Sequence, residues 1–167
     1  MFQSSIPACK AYLVERWGGK TMDGVKSSTF DGLAPVVANI DVQVSWGNPH
    51  PKKLADVLLI VDDAENITWK PTASLTQMNE EYDLQCYVSV EKSSKFSRKD
   101  QWQRAYDLAL AAISDVMKMC REGTMPAQVN IIMPGSANDS DAVVPDRREN
   151  SIPFTLHVTA RLVDEDA

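Results

Sequence analysis

The chain carries few residues that could serve as acid, base, nucleophile or metal ligand, and their spacing assembles no reaction. His50 and His157 are the only histidines. His157 falls on the polar side of an alternating stretch, with no Cys or Asp at ligand spacing, so a structural polar residue accounts for it better than a metal ligand. His50 lies between Pro49 and Pro51, where a turn or contact role fits better than a general base. Asp62-Asp63 follow an apolar run in the manner of a magnesium-binding pair, but no phosphate-cradling glycine loop precedes them, and a strand-ending turn is the simpler reading. Asn138, Asp139 and Asp141 lack the glycine and distal glutamate of a calcium loop. Gly135-Ser136-Ala137 has part of a nucleophile turn without its flanking glycines or a histidine partner. Lys92, Lys95, Arg98 and Lys99 surround Phe96, a cluster that suits a solvated helix entrance better than a nucleic-acid site. The expectation is therefore no catalytic residue, no cofactor and no metal.

The elements that hold these residues are clearer than any chemistry. Residues 81–91 alternate strictly: Tyr82, Leu84, Cys86, Val88 and Val90 share one side, and Asp83, Gln85, Tyr87 and Ser89 the other. Successive strand side chains point to opposite faces, so one side is core. Residues 152–162 repeat the pattern, with Ile152, Phe154, Leu156, Val158, Ala160 and Leu162 inward. Residues 40–46 alternate as well, and Gly47-Asn48-Pro49 breaks them. The apolar run 57–61 predicts a strand buried on both faces, ended by Asp62-Asp63, with a short return strand at 67–70. Val129, Ile131 and Met133 suggest one more strand facing the core.

Two helices are expected. Residues 5–16 present Ile6, Cys9, Leu13 and Trp17 on one side and stop at Gly18-Gly19. Residues 99–121 follow a start signal in Ser97 and Asp100, and repeat Trp102, Tyr106, Ala109, Ile113, Val116, Met117 and Cys120 at helical spacing up to Gly123. Residues 20–39 read as a long irregular connection, of a kind that often docks onto a partner, and 135–150 as a loop or extended hairpin, both extended arms or loops of the domain, and 164–167 form an acidic tail. There are no internal repeats. The sum is a single α+β domain over 1–167: an antiparallel sheet with the long helix and the short N-terminal helix packed on one face.

Size and charge narrow the setting. A chain of 167 residues, 44% hydrophobic and 24% charged, can bury a sizeable core. Lys and Arg number 17 against 23 Asp and Glu, a net charge of −6, which disfavours general attraction to nucleic acid or anionic membranes. Cys9, Cys86 and Cys120 cannot all pair within one chain, and two fall on apolar faces. With no secretion signal or membrane-length apolar run, a soluble, unsecreted protein is expected.

The other side of the sheet offers hydrogen-bonding groups: Gln43, Gln85, Tyr87, Gln128, Asn130, Thr155, His157, Thr159 and Arg161. An ordinary wet face explains them on residue type alone, and the sharper alternative is a subunit interface or a channel wall.

The order of elements bears on that choice. A short helix is followed by Val42-Gln43-Val44-Ser45-Trp46-Gly47-Asn48-Pro49, then Glu81-x-Tyr-x-Leu-x-Cys-Tyr-Val-x-Val. A long helix with Arg104-Ala105-Tyr106-Asp107-Leu108 comes next, and Pro153-Phe154-Thr155-Leu156-His157-Val158 closes the pattern. Over about residues 5–163 this resembles the tail terminator (tail completion) proteins of long-tailed bacteriophages. The resemblance implies a structural virion protein at the head-proximal end of the tail, assembled in the host cytoplasm. It implies a homo-oligomeric ring, commonly a hexamer, that caps the tail tube protein and receives the head-neck connector or stopper, with DNA passing through without specific binding. A neck adaptor or stopper and a tail tube protein are the nearest alternatives; a small hydrolase or ligand-binding domain is the alternative from another class.

Overall fold

The computed structural model describes residues 1–18, 25–27, 42–47, 57–74, 76–90, 98–137 and 150–164. In chain order these form α1 (Ile6–Gly18), β1 (Val25–Ser27), β2 (Val42–Trp46), β3 (Val57–Pro71), β4 (Gln77–Val90), α2 (Arg98–Glu122), β5 (Val129–Ala137) and β6 (Asn150–Val163). The fold is α+β, a six-stranded sheet in the order β1-β2-β3-β4-β6-β5. Four neighbouring pairs are antiparallel and one, β2 with β3, is parallel. Alternation reports which face of a strand is buried, not the direction of its neighbour, so the sequence could not distinguish this mixed sheet from a fully antiparallel one.

Both helices cover the same face and close one core. Tyr82, Leu84, Cys86 and Val88 of β4 stand opposite Val158, Leu156, Phe154 and Ile152 of β6, and all are buried. Cys9, Leu13, Val14 and Trp17 of α1 join this cluster, as do Leu108, Val116 and Met119 of α2. The run in β3 behaves as expected of a strand covered on both sides: Leu58, Leu59, Ile60 and Val61 are all buried.

Two buried carboxylates fasten the helices. Glu80, on the core side of β4, accepts hydrogen bonds from the Ser5 backbone N–H (2.8 Å), the Ser5 and Ser4 hydroxyls and the Trp69 indole N–H (2.9 Å). α1 has no acidic residue in its first turn, so β4 supplies the anion that its positive end favours. Burial alone would raise the Glu80 carboxyl, but the bonds from Ser5, Ser4 and Trp69 outweigh it and hold it below the usual carboxylate range. Asp115 of α2 takes a bidentate pair from Arg16 (2.6 and 2.8 Å) and a third bond from the Trp17 indole (3.0 Å), tying α2 to α1.

Several local expectations are corrected. Asp62-Asp63 do not end the strand. β3 continues to Pro71, because Val61 faces Cys86 and Ala64 faces Leu84, so three steps on one strand match two on the other. That bulge absorbs the acidic pair. A second irregularity lies between Glu65 and Thr68, with Asn66 at φ 51, and the expected return strand at 67–70 is the far part of β3 itself. Within 20–39, Val25–Ser27 pairs with β2 as an edge strand rather than running irregularly. Within 135–150, residues 135–137 belong to β5, which lies antiparallel beside β6; His50, Ser97, Lys92, Lys95, Phe96 and 138–149 lie outside the described residues.

The buried face of α2 is also rotated from the one expected. Ala105, Leu108, Ala109, Ala112, Val116 and Met119 are buried, whereas Tyr106 and Met117 are exposed and Trp102, Ile113 and Cys120 half-buried. Three alanines let the helix lie close to the sheet, and the larger side chains fall to the flank and outer side. The helix ends as its sequence predicts: Gly123 sits at φ 68, and the Thr124 N–H reaches back to the Met119 carbonyl (3.1 Å).

Candidate functional site

The face of the sheet turned away from the helices is the candidate surface. Register places Gln85 opposite Thr155, Asp83 opposite His157, Glu81 opposite Thr159, Asn79 opposite Arg161, and Tyr87 opposite Pro153. Gln85, Tyr87, Thr155, His157, Thr159 and Arg161 are therefore brought together as expected. Gln43 pairs through its backbone with Leu58 in the neighbouring strand, and its side chain lies outside the described residues.

Gln128 and Asn130 do not join this row. Gln128, at φ 67, sits in the turn before β5, and its carbonyl accepts the Arg161 backbone N–H (2.8 Å). Asn130 is the extra residue of a bulge: Val129 faces Ala160 while Ile131 already faces Thr159. One inserted residue sends every later side chain to the other face. Ile132 is accordingly buried, and Ile131 and Met133, expected in the core, stand exposed beside Thr159 and His157. They give the polar surface an apolar rim along its edge strand.

Side-chain hydrogen bonds knit the centre of the face together. His157 Nδ1 lies 2.8 Å from Asp83 Oδ1, and Asn66 Nδ2 donates to Asp83 Oδ2 (2.8 Å). Thr155 donates to Gln85 Oε1 (3.2 Å), and Gln85 Nε2 donates to Glu65 (3.3 Å). Lys70 and Glu81 form an exposed ion pair at 3.6 Å. The His157 and Asn66 contacts hold the Asp83 carboxyl below its ordinary range. Both charge signs are interspersed, so the surface is less neutral than the polar residues singled out from sequence imply. Glu65, Glu81 and Asp83 add acids to this row, and Asp83 lies on the polar side of the same alternation in the sequence.

The face is not uniform. Ser45, Leu58, Ile60, Ser89 and Ser151 lie on it toward β2 and are buried, and burial raises the Tyr87 phenol at the boundary. Among the described residues, the part from Tyr87 toward Asn79 and Arg161 is the wet one. A carboxylate-oriented imidazole such as Asp83–His157 is two thirds of a hydrolytic triad. The hydroxyl of Thr155, two residues away along β6, belongs to a separate set of bonds and donates to Gln85. Among the described residues no group of three His, Cys, Asp or Glu is placed to hold a metal ion, and no helix is long and apolar enough to cross a membrane. Gly135, from the fragment of a nucleophile turn, lies in strand β5, where a Cβ would approach the Thr155 carbonyl to 3.1 Å.

Compared with protein-family models and with curated protein sequences, the chain matches none.

Proposed function

We propose that this chain is a structural virion protein, a phage tail terminator that forms a ring at the head-proximal end of the tail, capping the tube and joining it to the head-neck connector. The observation that carries the reading is a wet, hydrogen-bonded sheet face flanked by two unlike strand edges. One edge is β5, with Ile131 and Met133 exposed. The other is the far part of β3: β2 pairs only with Val57–Val61, so 64–71 have no strand neighbour on that side among the described residues, and Ile67 and Trp69 stand exposed there. A ring needs two different surfaces on opposite sides of each subunit, because a head-to-tail contact repeated about an axis closes a cycle. Exposed strand edges are surfaces that other chains complete.

The charge pattern suits a conduit for DNA. Each neutralised phosphate adds salt-sensitive affinity, so a passage should avoid dense positive charge. The face mixes Lys70, His157 and Arg161 with Glu65, Glu81 and Asp83, and the whole chain is acidic. Negative-stain imaging of tails assembled without this protein tests the role. Tubes of irregular, overgrown length are expected; uniform tubes of normal length would overturn it. Normal tails beside heads that leak DNA would instead indicate the neck adaptor or stopper. The Asp83–His157 pair supports the second class, a small hydrolase, and His157→Ala with unchanged infectivity would remove it.

A further inference from the structure

The outer side of α2 carries an apolar stripe that the core engages only at Ile113. Tyr106, Leu110 and Met117 are 38%, 59% and 44% exposed, and Ile113 lies half-buried between them. Their spacing of four, three and four residues is that of a coiled-coil seam. Trp102 stacks on Tyr106 at one end, ring centroids 5.9 Å apart, which stiffens it. Residues on such a solvent-facing side are ordinarily polar.

We infer that this stripe is a two-fold contact between copies of the chain, with α2 lying antiparallel against α2 of a second copy. The seam reads the same in reverse. Antiparallel packing sets Leu110 against Ile113 of the second copy and Tyr106 against its Met117, then repeats both pairs about the axis. The flanking positions decide the direction. The same register brings Asp100, in the first turn, beside the second copy's Arg121, in the last turn, and it does so twice; Asp107 meets Ser114 between them. Asp100, Ser114 and Arg121 are exposed. Parallel packing would instead set Lys99 by Lys99 and Lys118 by Lys118 with the helix dipoles aligned, whereas antiparallel packing opposes the dipoles and matches the charges. A single helix pair covers less than the roughly 800 Å² per partner of a standard interface, so the contact is weak and concentration-dependent. It does not rest on the ring reading, since a two-fold contact doubles whatever species the other surfaces build.

Light scattering on the full chain across a concentration series tests this, comparing wild type with Leu110→Glu. That variant changes an exposed side chain, and circular dichroism checks that it stays folded. The expected result is that Leu110→Glu halves the limiting mass, or weakens association by about tenfold or more. Asp100→Arg alone should weaken pairing, and Asp100→Arg with Arg121→Asp should restore it. Equal masses for wild type and Leu110→Glu would overturn the inference, whatever ring number both share. A pairing that Asp100→Arg leaves unchanged would overturn the antiparallel register.

Discussion

Glu80 shows how much one side chain holds. Its carboxylate satisfies donors from Ser4, Ser5 and Trp69, and truncation leaves the buried Ser5 N–H and hydroxyl without that acceptor at once. Glu80→Ala should cost about 2 kcal/mol of stability in urea unfolding, from the desolvation of those orphaned groups. The charge itself is tested by Glu80→Gln across pH. A carboxyl held below its unfolded value of about 4.3 contributes stability that is present above that value and lost as pH falls through the folded one. The gap between wild type and Glu80→Gln should therefore be full at neutral pH and shrink in acid; a constant gap would show that the ionised form is not the one that matters. Thiol chemistry gives a second check. All three cysteines are free, and burial pushes the Cys9 thiol up to about 11 and Cys86 further. Alkylation near pH 8 should modify Cys120 first and leave Cys9 and Cys86 untouched until the chain unfolds.

Among the elements, α2 separates what patterning reveals from what it conceals. Its existence and its end at Gly123 follow from composition and capping, but the docking face shares only Ala109 and Val116 with the expected one, since Leu108, Met119 and two further alanines supply the rest and helical spacing alone does not choose between overlapping stripes. Leu108 and Leu110 differ by two positions and make the point measurable. Leu108→Ala should cost about 2–5 kcal/mol, whereas Leu110→Ala should stay within about 0.5 kcal/mol in the isolated subunit. Similar losses at both positions would mean that the outer stripe is packed in the free protein. The clasp between helices makes a further prediction: Asp115→Ala leaves Arg16 and the Trp17 indole without their acceptor and should cost about 3 kcal/mol in the same assay. Strands with unbroken alternation, β4 and β6, were legible residue by residue. β3 and β5 were not, because a bulge is one extra residue whose position depends on the partner strand, and neither Asp62-Asp63 nor Asn130 announces it in sequence.

At the scale of the whole molecule, the candidate surface was legible where it rests on β4 and β6 and illegible at its rim. The row from Gln85 and Thr155 to Arg161 follows from two alternating segments, while Ile131 and Met133 reach the same face only through the Asn130 bulge. If that rim belongs to a contact between copies, Met133→Lys should leave the subunit's stability within about 0.5 kcal/mol, because Met133 is half exposed. It should nevertheless abolish ring formation seen by negative stain. Rings that survive the substitution would exclude β5 from the contact.

The place of β6 in the sheet has a consequence for how the protein is made. It is the last strand in chain order among those described, yet it lies between β4 and β5 and supplies β4 with its second neighbour along the full length from Gln77 to Val90. At translation rates of about 5–20 residues per second, β4 waits several seconds with one side of its backbone unsatisfied before that neighbour emerges. A nascent polypeptide in this condition is a template for its own siblings on the same message. Yield of soluble material should accordingly depend on holdase chaperones and on the speed of the ribosome more than on the stability of the finished fold.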